Sequence, residues 1–140
     1  NAMLSFLYTI FTREYAAALE SVGLDSYMGF YHSLRPGRES LACDLVEEGR
    51  CIVERFVLTL INLKIIKPED FDVQVSGAVF LNDDGRKKVL SKWQEKKRTD
   101  MIHPYLKEKI PMGLLPYVQS MLLAKFVRGE IDEYPCYLAR

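Results

Sequence analysis

Neither charge nor cysteine dominates this sequence. Its 19 basic and 19 acidic side chains cancel, so net charge points to no polyanionic or polycationic partner. It has three cysteines, Cys43, Cys51 and Cys136. The number is odd and no pair is spaced as C-x-x-C, which argues against a disulfide framework or a zinc site and fits a reducing cytoplasm. No stretch reaches the roughly 18–20 uninterrupted apolar residues of a membrane span. The N-terminal apolar run from Leu4 to Phe11 meets Arg13 and Glu14, and it lacks the basic region and small-residue cleavage site of a signal peptide. There is no Walker loop, G-x-G-x-x-G, G-x-S-x-G or H-E-x-x-H, and no repeat or low-complexity tract.

What remains is 140 residues, 49% of them hydrophobic. That is one domain's worth of chain, with enough apolar side chain to bury a core. Leu4, Leu7, Tyr8, Phe11, Tyr15, Ala18 and Leu19 recur at three- and four-residue steps, the period of an amphipathic helix, and Gly23 is placed to end it. A loop over 24–39 carries Asp25, Gly29, His32, Pro36 and Gly37. A long helix is expected over 40–63, with Ser40 as its N-cap. Leu41, Leu45, Ile52, Val53, Phe56, Leu60 and Leu63 share one arc of that helix, of about 120°. Gly49 sits inside it at a cost of about 1 kcal/mol relative to alanine, with nothing in the pattern to explain why.

Beyond the turn Lys67-Pro68-Glu69-Asp70, two short runs, 73–75 and 78–81, suit a small hairpin across Ser76-Gly77. Asp83-Asp84-Gly85 opens a third helix over 86–98. A fourth runs from 111 or 113 to 127 and ends at Arg128-Gly129, ahead of an irregular tail. The reading is an all-α, multi-helix domain that leaves room for a minor β-hairpin. The helical pattern starts with no lead-in, so the chain is expected to be a fragment.

Three features carry chemistry. Asp44 and Glu47 are three residues apart, hence on one helical face, with Glu48 beside them. Like charges so placed repel unless water, a cation or a base relieves them. Mg²⁺ and Mn²⁺ prefer carboxylate oxygens, and Mn²⁺ accepts an imidazole. His32, on the preceding loop, is positioned in sequence to complete such a site. The same acids equally suit a solvated face favoured by the helix macrodipole. The second feature is basic: Arg86, Lys87, Lys88, Lys92, Lys96, Lys97 and Arg98 stand against the single acid Glu95, with Trp93 among them. Such a patch can neutralise phosphates, or it can be an ordinary lysine-bearing surface whose tryptophan packs inward. Arg35 and Arg38 flank Pro36-Gly37 near His32 and suit a phosphate held beside the acids. The third feature, His103-Pro104, reads as a turn element that caps or packs.

The residues from Gly23 to His32, followed by Arg35-Pro36-Gly37-Arg38-Glu39-Ser40-Leu41-Ala42-Cys43-Asp44-Leu45-Val46-Glu47-Glu48, resemble the signature of the CRISPR-associated endonuclease/integrase of the spacer-adaptation complex. Gly85-Arg86-Lys87-Lys88-Val89-Leu90 with Trp93-Gln94, His103-Pro104, and Arg128-Gly129 through Tyr134-Pro135 are similar to later stretches of the same family. The likeness runs almost the whole length and is nearest to members that accompany subtype I-C systems. It implies the helical C-terminal domain of a two-domain protein, with the N-terminal β domain absent. It further implies a metal-dependent DNA endonuclease and strand-transfer enzyme using Mg²⁺ or Mn²⁺. Such an enzyme inserts short foreign DNA into the CRISPR array, and acts on double-stranded, branched or array DNA. It works with a small ferredoxin-like partner protein and is a homodimer at full length; no membrane is involved.

By motif position His32 and Glu47 correspond to metal ligands, and Asp44 to a supporting acidic position. The basic residues expected on DNA are Arg35, Arg38, Lys87, Lys88, Lys96 and Lys97. The family's third ligand, a glutamate on a preceding helix, has no counterpart: Glu14, Glu20 and Asp25 stand in the wrong context. Cys43, Gly49 and Cys136 also depart from the usual pattern. The chain alone is therefore expected to be weak or inactive. The competing reading is a non-enzymatic helical DNA-binding or protein-docking module.

Overall fold

A computed structural model of the chain describes residues 2–25 and 40–137. Its elements are α1 (Ala2–Ser21), α2 (Ser40–Glu48), α3 (Arg50–Asn62), β1 (Phe71–Val73), β2 (Val79–Leu81), α4 (Asp83–Lys97), β3 (Asp100–Ile102), β4 (Lys109–Pro111) and α5 (Leu115–Val127), with single 3₁₀ turns at Pro68–Asp70 and Met112–Leu114. The fold is helical, with two antiparallel hairpins as minor elements. Among the described residues no helix is long and apolar enough to cross a membrane.

The expected periodicity of α1 is what builds the core. Leu7, Phe11, Tyr15 and Leu19, at four-residue steps, are all fully buried, and α1 packs on α2, α3 and α5. Gly23 ends the helix at φ +86°, a conformation that costs glycine little. An aromatic cluster lies at the centre. Trp93 of α4 meets Phe11 edge-on at 5.4 Å and Phe56 of α3 at 5.2 Å between centroids. Its indole N–H donates to Glu14 Oε1 at 2.9 Å, and Lys97 Nζ reaches the same oxygen at 3.3 Å. Trp93 is therefore a core residue.

The single helix expected over 40–63 is two. It breaks at Gly49, where ψ leaves the helical range at 9°, and the reason for a glycine there is steric. A Cβ at Gly49 would lie 2.8 Å from Phe11 Cε2 and 3.3 Å from Cζ, so glycine is what lets the buried Phe11 ring approach. Most of the predicted apolar arc is buried: Leu41, Leu45, Val53, Phe56 and Leu60. Leu63 is not, at 66% exposed. It is the C-cap of α3, and the chain turns away at Lys64, φ +57°. The capping role expected of Ser40 falls outside the described side chains, as does most of the expected loop, 26–39.

The first hairpin forms two residues earlier than expected in its leading strand, pairing Phe71 with Leu81 and Val73 with Val79, with Gly77 at φ +88° in the turn. Helix α4 starts three residues before the expected point because Asn82 caps it, its side chain accepting from Gly85 N at 2.8 Å. Gly85 is required here: a Cβ would stand 2.4 Å from the Asp70 carbonyl oxygen. The second hairpin, β3–β4, was not expected. Each of its strands is three residues long, too short for an alternation to register.

Candidate functional site

Helix α2 splits the acidic triplet. Asp44 is buried, 1% exposed. Glu47 lies at the surface with its side chain 49% exposed and pairs with Arg50 at 3.1 Å. Glu48, one residue on and about 100° further round the helix, points the other way, into the protein. Only Glu47 fits the alternative of a solvated acidic face. The macrodipole does not account for the group either. Glu47 and Glu48 are the last two residues of α2 and stand just before the N-terminus of α3, so the two helix ends act on them with opposite signs.

Glu48 is the acceptor at the centre of a buried network. Tyr134 Oη donates to both of its carboxylate oxygens at 2.9 Å. The Tyr137 backbone N–H donates to Oε1 at 2.7 Å, and Gln119 Nε2 approaches the same oxygen at 3.4 Å. Gln119, fully buried on α5, also donates to Tyr134 Oη at 2.8 Å and to the Pro135 carbonyl at 3.2 Å.

The amide orientation of Gln119 follows from His103. The His103 Nδ1 accepts the backbone N–H groups of Tyr105 and Leu106, each at 3.2 Å. The ring proton is thereby assigned to Nε2, which donates to Gln119 Oε1 at 2.6 Å. His103 thus caps and packs at the second hairpin, as its place before Pro104 suggested, and it orients Gln119 as well. Burial pushes the Glu48 carboxyl up from 4.5 to about 7, against the lowering pull of Tyr137, Tyr134 and Gln119. The Tyr134 phenol is raised too, first by burial and then by the neighbouring Glu48 charge. The sequence signal for this network was Gln119 itself, a polar residue inside the apolar run of α5.

The other expected site residues divide. His32, Arg35 and Arg38 lie outside the described residues. Among the described residues no group of three or more His, Cys, Asp or Glu is arranged to hold a metal ion. Of the two carboxylates three residues apart on α2, Asp44 is buried and only Glu47, half-exposed, presents to solvent the kind of oxygen that a hard divalent cation takes.

On α4 the basic residues encircle the helix and form no single face. Lys88 pairs with Asp70 at 3.0 Å and Lys97 with Glu14. Arg86 pairs with Asp83, and Lys92 with Glu95 at 3.4 Å. Lys87, Lys96 and Arg98 are exposed and have no ion pair among the described residues.

Comparison with known proteins agrees with this fold. The family model for CRISPR associated protein Cas1 matches residues 1–95. The chain is 52% identical over 136 residues to CRISPR-associated endonuclease Cas1 2 of Rhodospirillum rubrum, covering 96% of this chain and 40% of that protein. It is 47% identical over 141 residues to CRISPR-associated endonuclease Cas1 1 of Chlorobaculum tepidum, covering 100% of this chain and 41% of that protein. It therefore spans about two fifths of the length of these relatives. Among solved structures, a casposase bound to its integration product superposes with a TM-score of 0.88 at 24% identity, over 96% of this chain and 37% of that one, a likeness of fold. On the family match and the identity of these relatives, the chain belongs to the Cas1 family of CRISPR-associated proteins.

Proposed function

We propose that this chain is the ligand-bearing helical part of a metal-dependent DNA endonuclease and integrase that acts in CRISPR spacer acquisition. The observation that carries the reading is α2. A family member at 52% identity to a protein named as an endonuclease presents Asp44 buried and Glu47 exposed on one short helix. In this reading His32 and Glu47 bind Mg²⁺ or Mn²⁺, and Asp44 supports the helix face between them. Glu47 must first leave Arg50, an exposed pair that costs little to open. When bound, the ion polarises a phosphoryl oxygen and offsets charge on the attacking or leaving 3′ oxygen.

The chain's other residues then hold DNA. Arg35 and Arg38, three and six positions after His32 in the sequence, take flanking phosphates. Lys87 and Lys96, exposed on α4 with no ion pair among the described residues, contact the backbone further out. Lys88 and Lys97 contribute less, because Asp70 and Glu14 already hold them. The small ferredoxin-like partner, the homodimer and the substrate set of branched or array DNA belong to this proposal as the family likeness implies them.

Two protein ligands hold a hard cation poorly, since it gives up water reluctantly. The 140-residue chain on its own is therefore expected to bind Mn²⁺ weakly and to cleave little. The test is incubation with branched or single-stranded DNA and Mn²⁺. Trace cleavage that disappears in Glu47→Ala and His32→Ala supports the reading. Cleavage that both substitutions leave intact contradicts it.

A further inference from the structure

We infer that Glu48 is a positioning residue for the acid-bearing face of α2, held there by the tail segment 134–137; this rests on the reading of Glu47 as a metal ligand.

Helix α2 is nine residues long and ends at Glu48; Gly49, at φ −98° and ψ 9°, separates it from α3. Its apolar face, Leu41, Ala42, Leu45 and Val46, is buried and α2 packs on α1. The final residue adds a polar anchor to that packing, at the end of the helix nearest Glu47. Three groups meet at the Glu48 carboxylate: Tyr134 Oη, the Tyr137 N–H and Gln119 Nε2, which lie 86, 89 and 71 positions along the chain.

Each of these is itself fixed. Gln119 is fully buried, and His103 Nε2 holds its carbonyl. His103 is in turn held by two backbone N–H groups of the second hairpin. Tyr137 is buried. The hydrogen bonds thus run without a gap from β3–β4 through α5 and the tail to the last residue of α2.

Rotating α2 to turn Glu47 inward would pull Glu48 off all three donors. With Glu48 in place, Glu47 faces solvent and Asp44 sits one turn earlier at the buried edge. A part-buried carboxylate is a costly choice where an apolar side chain would pack, and Glu48 stands within one turn of the two acids that the proposed chemistry needs. Groups that orient metal ligands from outside the coordination shell commonly change metal affinity by 10- to 100-fold; Glu48 acts in this way through the helix that carries Glu47, its own partners being Tyr134, Tyr137 and Gln119.

The test titrates the 140-residue protein with Mn²⁺ alone, following free Mn²⁺ by electron paramagnetic resonance, at a temperature where each variant is folded. Glu48→Ala is expected to weaken Mn²⁺ binding about tenfold. Glu48→Gln, which keeps an acceptor oxygen for Tyr137 and Tyr134, should recover affinity to within about threefold of wild type. Tyr134→Phe removes one hydroxyl without opening a cavity and should fall between the two; it carries the test if Glu48→Ala does not fold. Asp70→Asn, a destabilising change at the first hairpin, should leave Mn²⁺ affinity unchanged, which separates positioning from loss of stability. Folded Glu48→Ala or Tyr134→Phe with wild-type affinity, alongside a Glu47→Ala variant that loses it, overturns the positioning role and leaves the metal reading intact. Binding that neither Glu47→Ala nor His32→Ala alters overturns both.

Discussion

The ring of Phe11 lies over the bare Cα of Gly49, at a distance where an added methyl would come within 2.8 Å of Cε2. Substituting alanine would ordinarily favour a helix by about 1 kcal/mol. Here the Phe11 ring has no room to retreat, since it is fully buried and contacts Tyr15 at 5.0 Å and Trp93 at 5.4 Å. Gly49→Ala is expected to destabilise the protein by about 1–3 kcal/mol through overpacking. Phe11→Leu in the same chain should relieve part of that loss. Urea denaturation followed by the fluorescence of the single tryptophan measures both, and a stabilised Gly49→Ala would contradict the packing account.

Asp70 gives the fold an acid-sensitive contact. Its carboxyl accepts from the Lys67 N–H at 2.9 Å and pairs with Lys88. First the Lys67 hydrogen bond and then Lys88 hold its pKa below the ordinary 3.8, against burial. The unfolded chain therefore binds the proton more readily, and in this window stability rises with pH. The contribution is present above 3.8 and is lost as the carboxyl protonates below it. Asp70→Asn should be less stable than wild type near neutral pH, and the two should converge as pH falls below the ordinary 3.8 and through the lowered pKa of the folded state. A gap that stays constant across that range would show that charge at Asp70 is not what the contact uses.

The lysines of α4 should not act alike on DNA. Lys87→Ala and Lys96→Ala are each expected to lower the slope of log affinity against log salt by about one, with little effect on stability. Lys97→Ala should change the slope less and lower the melting temperature, because Lys97 reaches the same Glu14 oxygen that holds the Trp93 N–H. A salt titration of DNA binding for the three variants checks this. Equal slopes for wild type and the Lys87 and Lys96 variants would remove α4 from the DNA surface.

The helices were legible in the sequence because their apolar residues repeat at a helical period. The four-residue ladder Leu7, Phe11, Tyr15, Leu19 placed α1 and its buried face directly. The hairpin around Gly77 was legible from its turn chemistry, although its register was not, since three-residue strands carry too little alternation to fix one. The need for a glycine at 49 was not visible in the pattern, because the ring it makes room for, Phe11, stands 38 positions earlier in the sequence. For the site, the family likeness and the Asp44–Glu47 spacing named the acids. Spacing could not tell that Asp44 is buried and that Glu48 turns inward, because the partners of Glu48 are more than 70 positions away. Long-range polar networks leave no local period, and this one left as traces Gln119 within an apolar helix and His103 before Pro104.

The central claim is that His32 shares a divalent ion with Glu47. The chain has two histidines, His32 and His103, and His103 is sealed in the core, so imidazole proton resonances recorded during Mn²⁺ addition read the claim directly. The account predicts that one imidazole, lost in His32→Ala, broadens at far lower Mn²⁺ than the other, and that Glu47→Ala removes the difference. If both imidazoles broaden together, or if the selective broadening survives in Glu47→Ala, the ion is not held between His32 and Glu47 and the metal-dependent reading fails.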